Sequence, residues 1–172
     1  IVAGAGIAGC EVARLLGELG YDVLLLEKNK RVKRDTGLVS TRIRDLLELP
    51  KRLIRCEISE MELLSPSGYK VRLVANEPFA LLLRPVLFRR WLRRRAKKVC
   101  ELRYEEVRGV EIRDREVEVR TEKETYRARA LIACDGVPST IRALLGMEQP
   151  RFIIGVISEI RKLQGDVIRV FF

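Results

Sequence analysis

Three glycines near the start of the chain, Gly4, Gly6 and Gly9, stand in the run Gly-Ala-Gly-Ile-Ala-Gly. This spacing suits a turn from a strand into a helix whose backbone holds a phosphate. Gly4 permits the tight turn. Gly6 has no Cβ, so a pyrophosphate can approach the main chain. Gly9 lets the helix pack close to its sheet. The backbone amides of Ile7, Ala8 and Gly9 would open the helix, and the positive end of the helix dipole favours an anion there. Glu27 lies 23 residues beyond Gly4, at the end of an apolar run, with Lys28 beside it. An acid about 20 residues after the first glycine can accept hydrogen bonds from ribose hydroxyls. The chemistry implied is dinucleotide binding. The carboxylate of Glu27 disfavours a 2′-phosphate, so NADP is the weakest choice against FAD and NAD.

Those residues need a βαβ frame to hold them. Ile1–Ala3 reads as a strand, and Ile7–Leu19 as a helix with Ala8, Val12, Leu15, Leu16 and Leu19 on one face. Gly20 ends that helix. Val23–Leu26 reads as a buried parallel strand. A charged loop follows, then a helix over Thr41–Leu49 ended by Pro50. Strands are expected over Glu57–Leu64 and Lys70–Val74 around Ser65-Pro66-Ser67-Gly68. Pro85 suits the first turn of a helix over Pro85–Val99, with Phe88, Trp91, Leu92, Ala96 and Val99 as its apolar stripe. Two or three antiparallel strands are expected between Val107 and Tyr126. A strand over Arg129–Ala133 runs into Cys134-Asp135-Gly136, then a helix over Ser139–Leu145. Phe152–Glu159 and Val167–Phe172 return to strand character.

The 172 residues are 47% hydrophobic, enough for a globular core. No apolar run reaches the ~18 residues of a membrane span, and no signal peptide is expected from the opening residues. Ile1 opens directly on a strand, so the chain is expected to be an internal piece of a longer protein. With no His, and with Cys10, Cys56, Cys100 and Cys134 dispersed, a metal site is not expected. Reduced thiols fit a cytoplasmic protein. A charged fraction of 34% with few amide side chains is a bias shared with thermophile proteins.

The fingerprint through Glu27 resembles the FAD-dependent geranylgeranyl reductase family, within the class that also holds aromatic-ring hydroxylases. So do Gly37-Leu38-Val39-Ser40, Ser65-Pro66-Ser67-Gly68, Leu83-Arg84 before the Trp91 helix, and the Asp-Gly-x-x-Ser-x-x-Arg stretch from Asp135 to Arg142. Together they span nearly the whole chain. The resemblance implies an α/β fold: a Rossmann-like FAD/NAD(P)-binding domain with an inserted or appended mixed sheet, incomplete at both ends. Residues 1–150 would bind FAD, with the sheet insertion at about 52–82 and antiparallel strands at about 101–127. Residues 151–172 would begin a substrate-binding sheet.

The family's site residues carry over as follows. Asp135 and Gly136 would meet the ribityl or pyrophosphate part of FAD. Arg84 would lie near the flavin and pyrophosphate, and Val107 would touch the adenine through its backbone. Gly37 and Leu38 would lie against the isoalloxazine ring. Asp35-Thr36 departs from the cysteine or glycine cluster that family members commonly carry before Gly-Leu. No catalytic side chain stands out.

Eight cations and no acid lie between Arg84 and Lys98. Arg89, Arg90, Arg93, Arg94, Lys97 and Lys98 fall opposite the apolar stripe and read first as a solvated face. Peripheral membrane contact through the basic helix 85–99 is the functional alternative, and nucleic acid is disfavoured. The activity implied is reduction of carbon–carbon double bonds in isoprenoid lipid chains. Electrons would come from a separate donor, either NAD(P)H or a ferredoxin-like protein. An aromatic-hydroxylase type of FAD monooxygenase is the second reading, and a non-catalytic nucleotide-binding domain the third.

Overall fold

The structure is a computed structural model, and it describes residues 1–33, 35–152 and 167–171. In chain order the strands are β1 Val2–Ala3, β2 Leu24–Leu26, β3 Leu38–Ser40, β4 Ile54–Ile58, β5 Glu60–Leu64, β6 Lys70–Val74 and β7 Ala80–Leu83. They continue with β8 Glu101–Arg103, β9 Val107–Ile112, β10 Val117–Thr121, β11 Thr125–Ala128, β12 Ile132–Ala133 and β13 Val167–Phe171. The helices are α1 Ile7–Glu18, α2 Ile43–Leu46, α3 Pro85–Ala96 and α4 Thr140–Leu144. The expected strand Phe152–Glu159 lies outside the described residues beyond Phe152.

The chain divides into two compact units. The first comprises Ile1–Val32 and the stretch that begins at Arg89. Its parallel sheet has the order β12-β1-β2-β8. Helix α1 makes the crossover from β1 to β2, as parallel neighbours require. Strands β9, β10 and β11 form an antiparallel meander. Ala3 and Leu26 of the parallel sheet pack in one buried cluster with Val107, Val117 and Val119 of the meander and Ile141 of α4. The alternation seen in the sequence of β10 has this cause: Val117 and Val119 point inward while Arg120 is exposed.

The second unit comprises Lys33–Phe88 together with β13. One antiparallel sheet has the order β3-β7-β4, and Leu81 and Leu83 of its central strand are fully buried. The other sheet has the order β13-β5-β6. There Glu62 is a buried acid. Lys70 Nζ of β6 lies 2.6 Å from it and Arg169 Nε of β13 lies 2.7 Å from it. The ammonium and guanidinium hold its carboxyl below the usual carboxylate range.

Several elements differ from expectation: strands β3, β7 and β8 have no counterpart in the sequence reading, and the strand expected over Arg129–Ala133 is only Ile132–Ala133. The strand expected over Glu57–Leu64 is two strands that part at Ser59, because β4 pairs with β7 while β5 pairs with β6 and β13. The helix expected over Thr41–Leu49 is the single turn α2, and Leu47 is already extended. No helix among the described residues is long and apolar enough to cross a membrane.

Candidate functional site

The glycine run forms the turn from β1 into α1. Gly4 takes φ +102°, and a Cβ there would overlap the Cys134 carbonyl. Its amide donates to the Leu26 carbonyl at 2.7 Å, so the turn is tied to β2. A Cβ on Gly9 would overlap the carbonyl oxygen of Gly4. This close approach of helix to turn leaves no room for a side chain. Gly6 faces open space, and a Cβ there would have Arg89 Nη1 at 4.0 Å as its nearest neighbour.

Gly6 is also the N-cap of α1, with no side-chain cap and no acid in the first turn. The first amides of a helix have no intrahelical acceptor. Here those of Ile7 and Ala8 belong to exposed residues. An uncapped helix end, an open glycine and a guanidinium beside it are groups able to donate to a phosphate. Arg89 was not legible as part of this site, because its sequence position marks only a cationic face.

Glu27 follows β2, and its amide donates to the Arg103 carbonyl at 3.0 Å. Its carboxylate accepts from the Ala5 amide at 3.0 Å and from the Asn29 amide at 2.9 Å. Arg93 Nη2 stands 3.2 Å away, with the two side chains only 13% and 10% exposed. An ionised carboxylate has about four lone-pair positions, so acceptor capacity remains for sugar hydroxyls. Arg93 itself also donates from Nε to the Ala5 carbonyl at 3.2 Å, and from Nη1 to the carbonyls of Asn29 and Lys30 at 3.2 and 3.0 Å. This corrects the solvated-face reading of Arg93. It is 9% exposed, and its fork joins the glycine turn, the acid and the loop after β2. Lys28 is exposed, with Nζ 3.9 Å from Glu106.

Asp135 and Gly136 lie beyond β12. The Asp135 carboxylate accepts from Ser139 Oγ at 2.8 Å and from the Ile141 amide at 3.0 Å. It therefore organises the start of α4, where Ser139 is the N-cap. Gly136 takes φ +88°. Val107 begins β9 with its side chain in the buried cluster, opposite Thr121. The fold thus brings Gly4, Gly6, Ile7, Ala8, Gly9, Glu27, Lys28, Val107, Asp135 and Gly136 into the first unit. Gly37, Leu38 and Arg84 belong to the second. In that unit Leu83 donates its amide to the Gly37 carbonyl at 2.8 Å, and the Arg84 amide donates to Leu53 at the same distance.

Cys10, one turn into α1, is buried and donates its thiol to the Ala5 carbonyl at 3.5 Å. Burial pushes that thiol up to about 12 despite the nearby Arg93. Glu105 is a buried acid at the end of the parallel sheet. Burial raises its carboxyl, but hydrogen bonds from Thr121 at 2.7 Å and Tyr126 at 2.9 Å outweigh this, and the net direction is down. That network ties the strands together and presents no reactive group. Among the described residues no cluster of three or more acids and cysteines has the arrangement of a metal site.

A parallel sheet, a glycine turn, an uncapped helix end and an acid closing the second strand define a Rossmann-like dinucleotide-binding unit. Residues 2–45 match the family model of the NAD(P)-binding Rossmann-like domain. The chain is 29% identical over 161 residues to the digeranylgeranylglycerophospholipid reductase of Methanocella arvoryzae, covering 86% of this chain and 41% of that protein. The fold is similar to a geranylgeranyl bacteriochlorophyll reductase-like protein from Thermoplasma acidophilum, with a TM-score of 0.73, 21% identity, and coverage of 86% of this chain and 41% of that one. It is similar also to p-nitrophenol 4-monooxygenase from Pseudomonas putida, with a TM-score of 0.71, 22% identity, and coverage of 84% and 42%. The resemblance to geranylgeranyl reductases therefore extends over most of the chain, and the chain spans about two fifths of their length.

Proposed function

We propose that this chain is the cofactor-binding part of an FAD-dependent oxidoreductase that reduces carbon–carbon double bonds in isoprenoid lipids. The observation that carries the reading is the uncapped start of α1 beside the open face of Gly6. It supplies a phosphate site in a chain similar over 86% of its length to a reductase of prenylated phospholipids.

The amides of Ile7, Ala8 and Gly9, with Arg89, would hold the pyrophosphate. Glu27 would take the adenosine ribose on its remaining lone pairs, with Lys28 at its edge. Asp135 and Gly136 would border the ribityl chain, and Val107 would border the adenine. In the second unit Gly37 and Leu38 would flank the flavin ring, and Arg84 would lie near it. When bound and reduced, FAD would supply hydride to one alkene carbon, with a proton from water or a residue outside this chain going to the other, while the protein orients the partners. Residues 1–150 would serve the cofactor, and residues 151–172 would open a substrate-binding sheet. A separate donor, NAD(P)H or a ferredoxin-like protein, would reduce the flavin. The basic helix over 85–99 would support contact with a membrane surface.

The test is anaerobic reduction of the full-length protein followed by addition of a geranylgeranylated lipid. Reoxidation of the flavin by the alkene without oxygen is the expected result. A second reading, monooxygenation, is favoured by the likeness to the p-nitrophenol enzyme. Strict dependence on oxygen with a hydroxylated product would establish it and overturn the first.

A further inference from the structure

We infer that the first unit carries a second anion site, separate from the glycine turn, which binds the phosphate or pyrophosphate group of a small ligand. The site is an open cleft of about 230 Å³ between the loop after β2 and helix α3. Lys30 and Arg31 come from the loop, Arg90, Arg93 and Arg94 from the helix, and Lys97 from the turn just after it. No acid lines it.

The arrangement is electrostatically costly unless an anion fills it. Arg90 and Arg94 are four residues apart on one helix face, and Lys97 follows in the turn after it, so like charges stand close together and repel. Elsewhere in the chain several cations meet acids: Arg14 lies between Glu11 and Glu18, and Arg103 between Glu101 and Glu124. Of the six cations that line the cleft Arg93 pairs with Glu27; among the described residues the other five pair with no acid, and Lys97 lies over the Tyr104 ring.

The cleft is also built rather than incidental. Arg93, buried beneath it, ties the carbonyls of Asn29 and Lys30 to α3. The backbone of the loop that carries Lys30 and Arg31 is thereby held beside the helix before any ligand arrives. Preorganisation of this kind lowers the ordering cost of binding. Guanidinium forks match phosphate oxygens in pairs. A whole drug-sized ligand fills roughly 300–1,000 Å³, so a cleft of about 230 Å³ suits one charged head group. Phosphate from a soluble metabolite and phosphate from a lipid head group offer the same chemistry here.

The experiment uses the full-length protein with its dinucleotide site saturated by FAD, titrated with inorganic pyrophosphate by calorimetry at low ionic strength. Saturable binding is expected. Arg90→Ala combined with Arg94→Ala should weaken it about a hundredfold, tenfold for each guanidinium removed from the phosphate oxygens. Lys98→Ala, an exposed cation on the same stretch outside the cleft, should leave it unchanged. Absence of binding, retention of binding in the double variant, or an equal loss in Lys98→Ala overturns the inference. Flotation with phosphatidylcholine vesicles containing roughly one third phosphatidylglycerol separates the sources. Vesicle binding that the double variant loses and pyrophosphate displaces assigns the phosphate to lipid. Pyrophosphate binding with no vesicle binding assigns it to a soluble ligand.

Discussion

Replacing Arg93 with Met keeps the aliphatic bulk of the side chain and removes its fork. Its hydrogen bonds to the carbonyls of Ala5, Asn29 and Lys30 go, and so does its ion pair with Glu27. Removing one member of a buried ion pair costs about 3–5 kcal/mol. Glu27 keeps the amides of Ala5 and Asn29, and water reaches the edge of the site, so about 3 kcal/mol is expected. In urea unfolding of the full-length protein, with a slope of about 2–3 kcal/mol per molar, the midpoint should fall by about 1 M. Adding Glu27→Gln removes the stranded charge. The double variant should therefore lose less than the sum of the single losses, by about 1–3 kcal/mol. A midpoint shift in Arg93→Met below roughly 0.2 M, or strict additivity, would refute the view that this arginine braces the turn.

Gly9→Ala places a methyl group on the Gly4 carbonyl. It should cost about 1–3 kcal/mol through displacement of α1 and lower the bound FAD measured by absorbance after gel filtration. Asp135→Ala removes both acceptors at the start of α4, and the melting curve should report a loss of about 1–2 kcal/mol. The Cys10 thiol keeps its proton in the fold up to about 12, whereas an unfolded thiol loses it near ~8.5. Between those values the unfolded chain holds fewer protons. Stability should therefore fall as pH rises, by up to about 1.4 kcal/mol per unit, with no contribution from this group below the window. Urea midpoints at pH 8 and pH 10 should show this decline in the native chain and a flatter response in Cys10→Ala.

Local pattern was enough to read the fingerprint, the buried strand β2 and helix α3, because each is signalled within a dozen residues. The role of Arg93 was not. Its periodicity places it beside Leu92 but off the apolar stripe, and its partners lie more than 60 residues away in the chain. Ser59 hid the break between β4 and β5 for a related reason. Its flanks are equally strand-like, and only the choice of pairing partner separates them. Asp135 was legible as an acid next to a glycine. Its bonds to Ser139 and Ile141 depend on how the chain turns into α4.

Strand β1 is central in the parallel sheet, and its two neighbours come from very different places. Val2 pairs with Leu25 on one side and with Ile132 on the other. The wall against which Gly4 rests is the carbonyl of Cys134. During synthesis at about 5–20 residues per second, β1, α1 and β2 leave the ribosome several seconds before that wall exists. The nascent chain thus carries its glycine turn half-built until β12 emerges and docks. Retention of nucleotide by ribosome-bound intermediates should begin only after that moment.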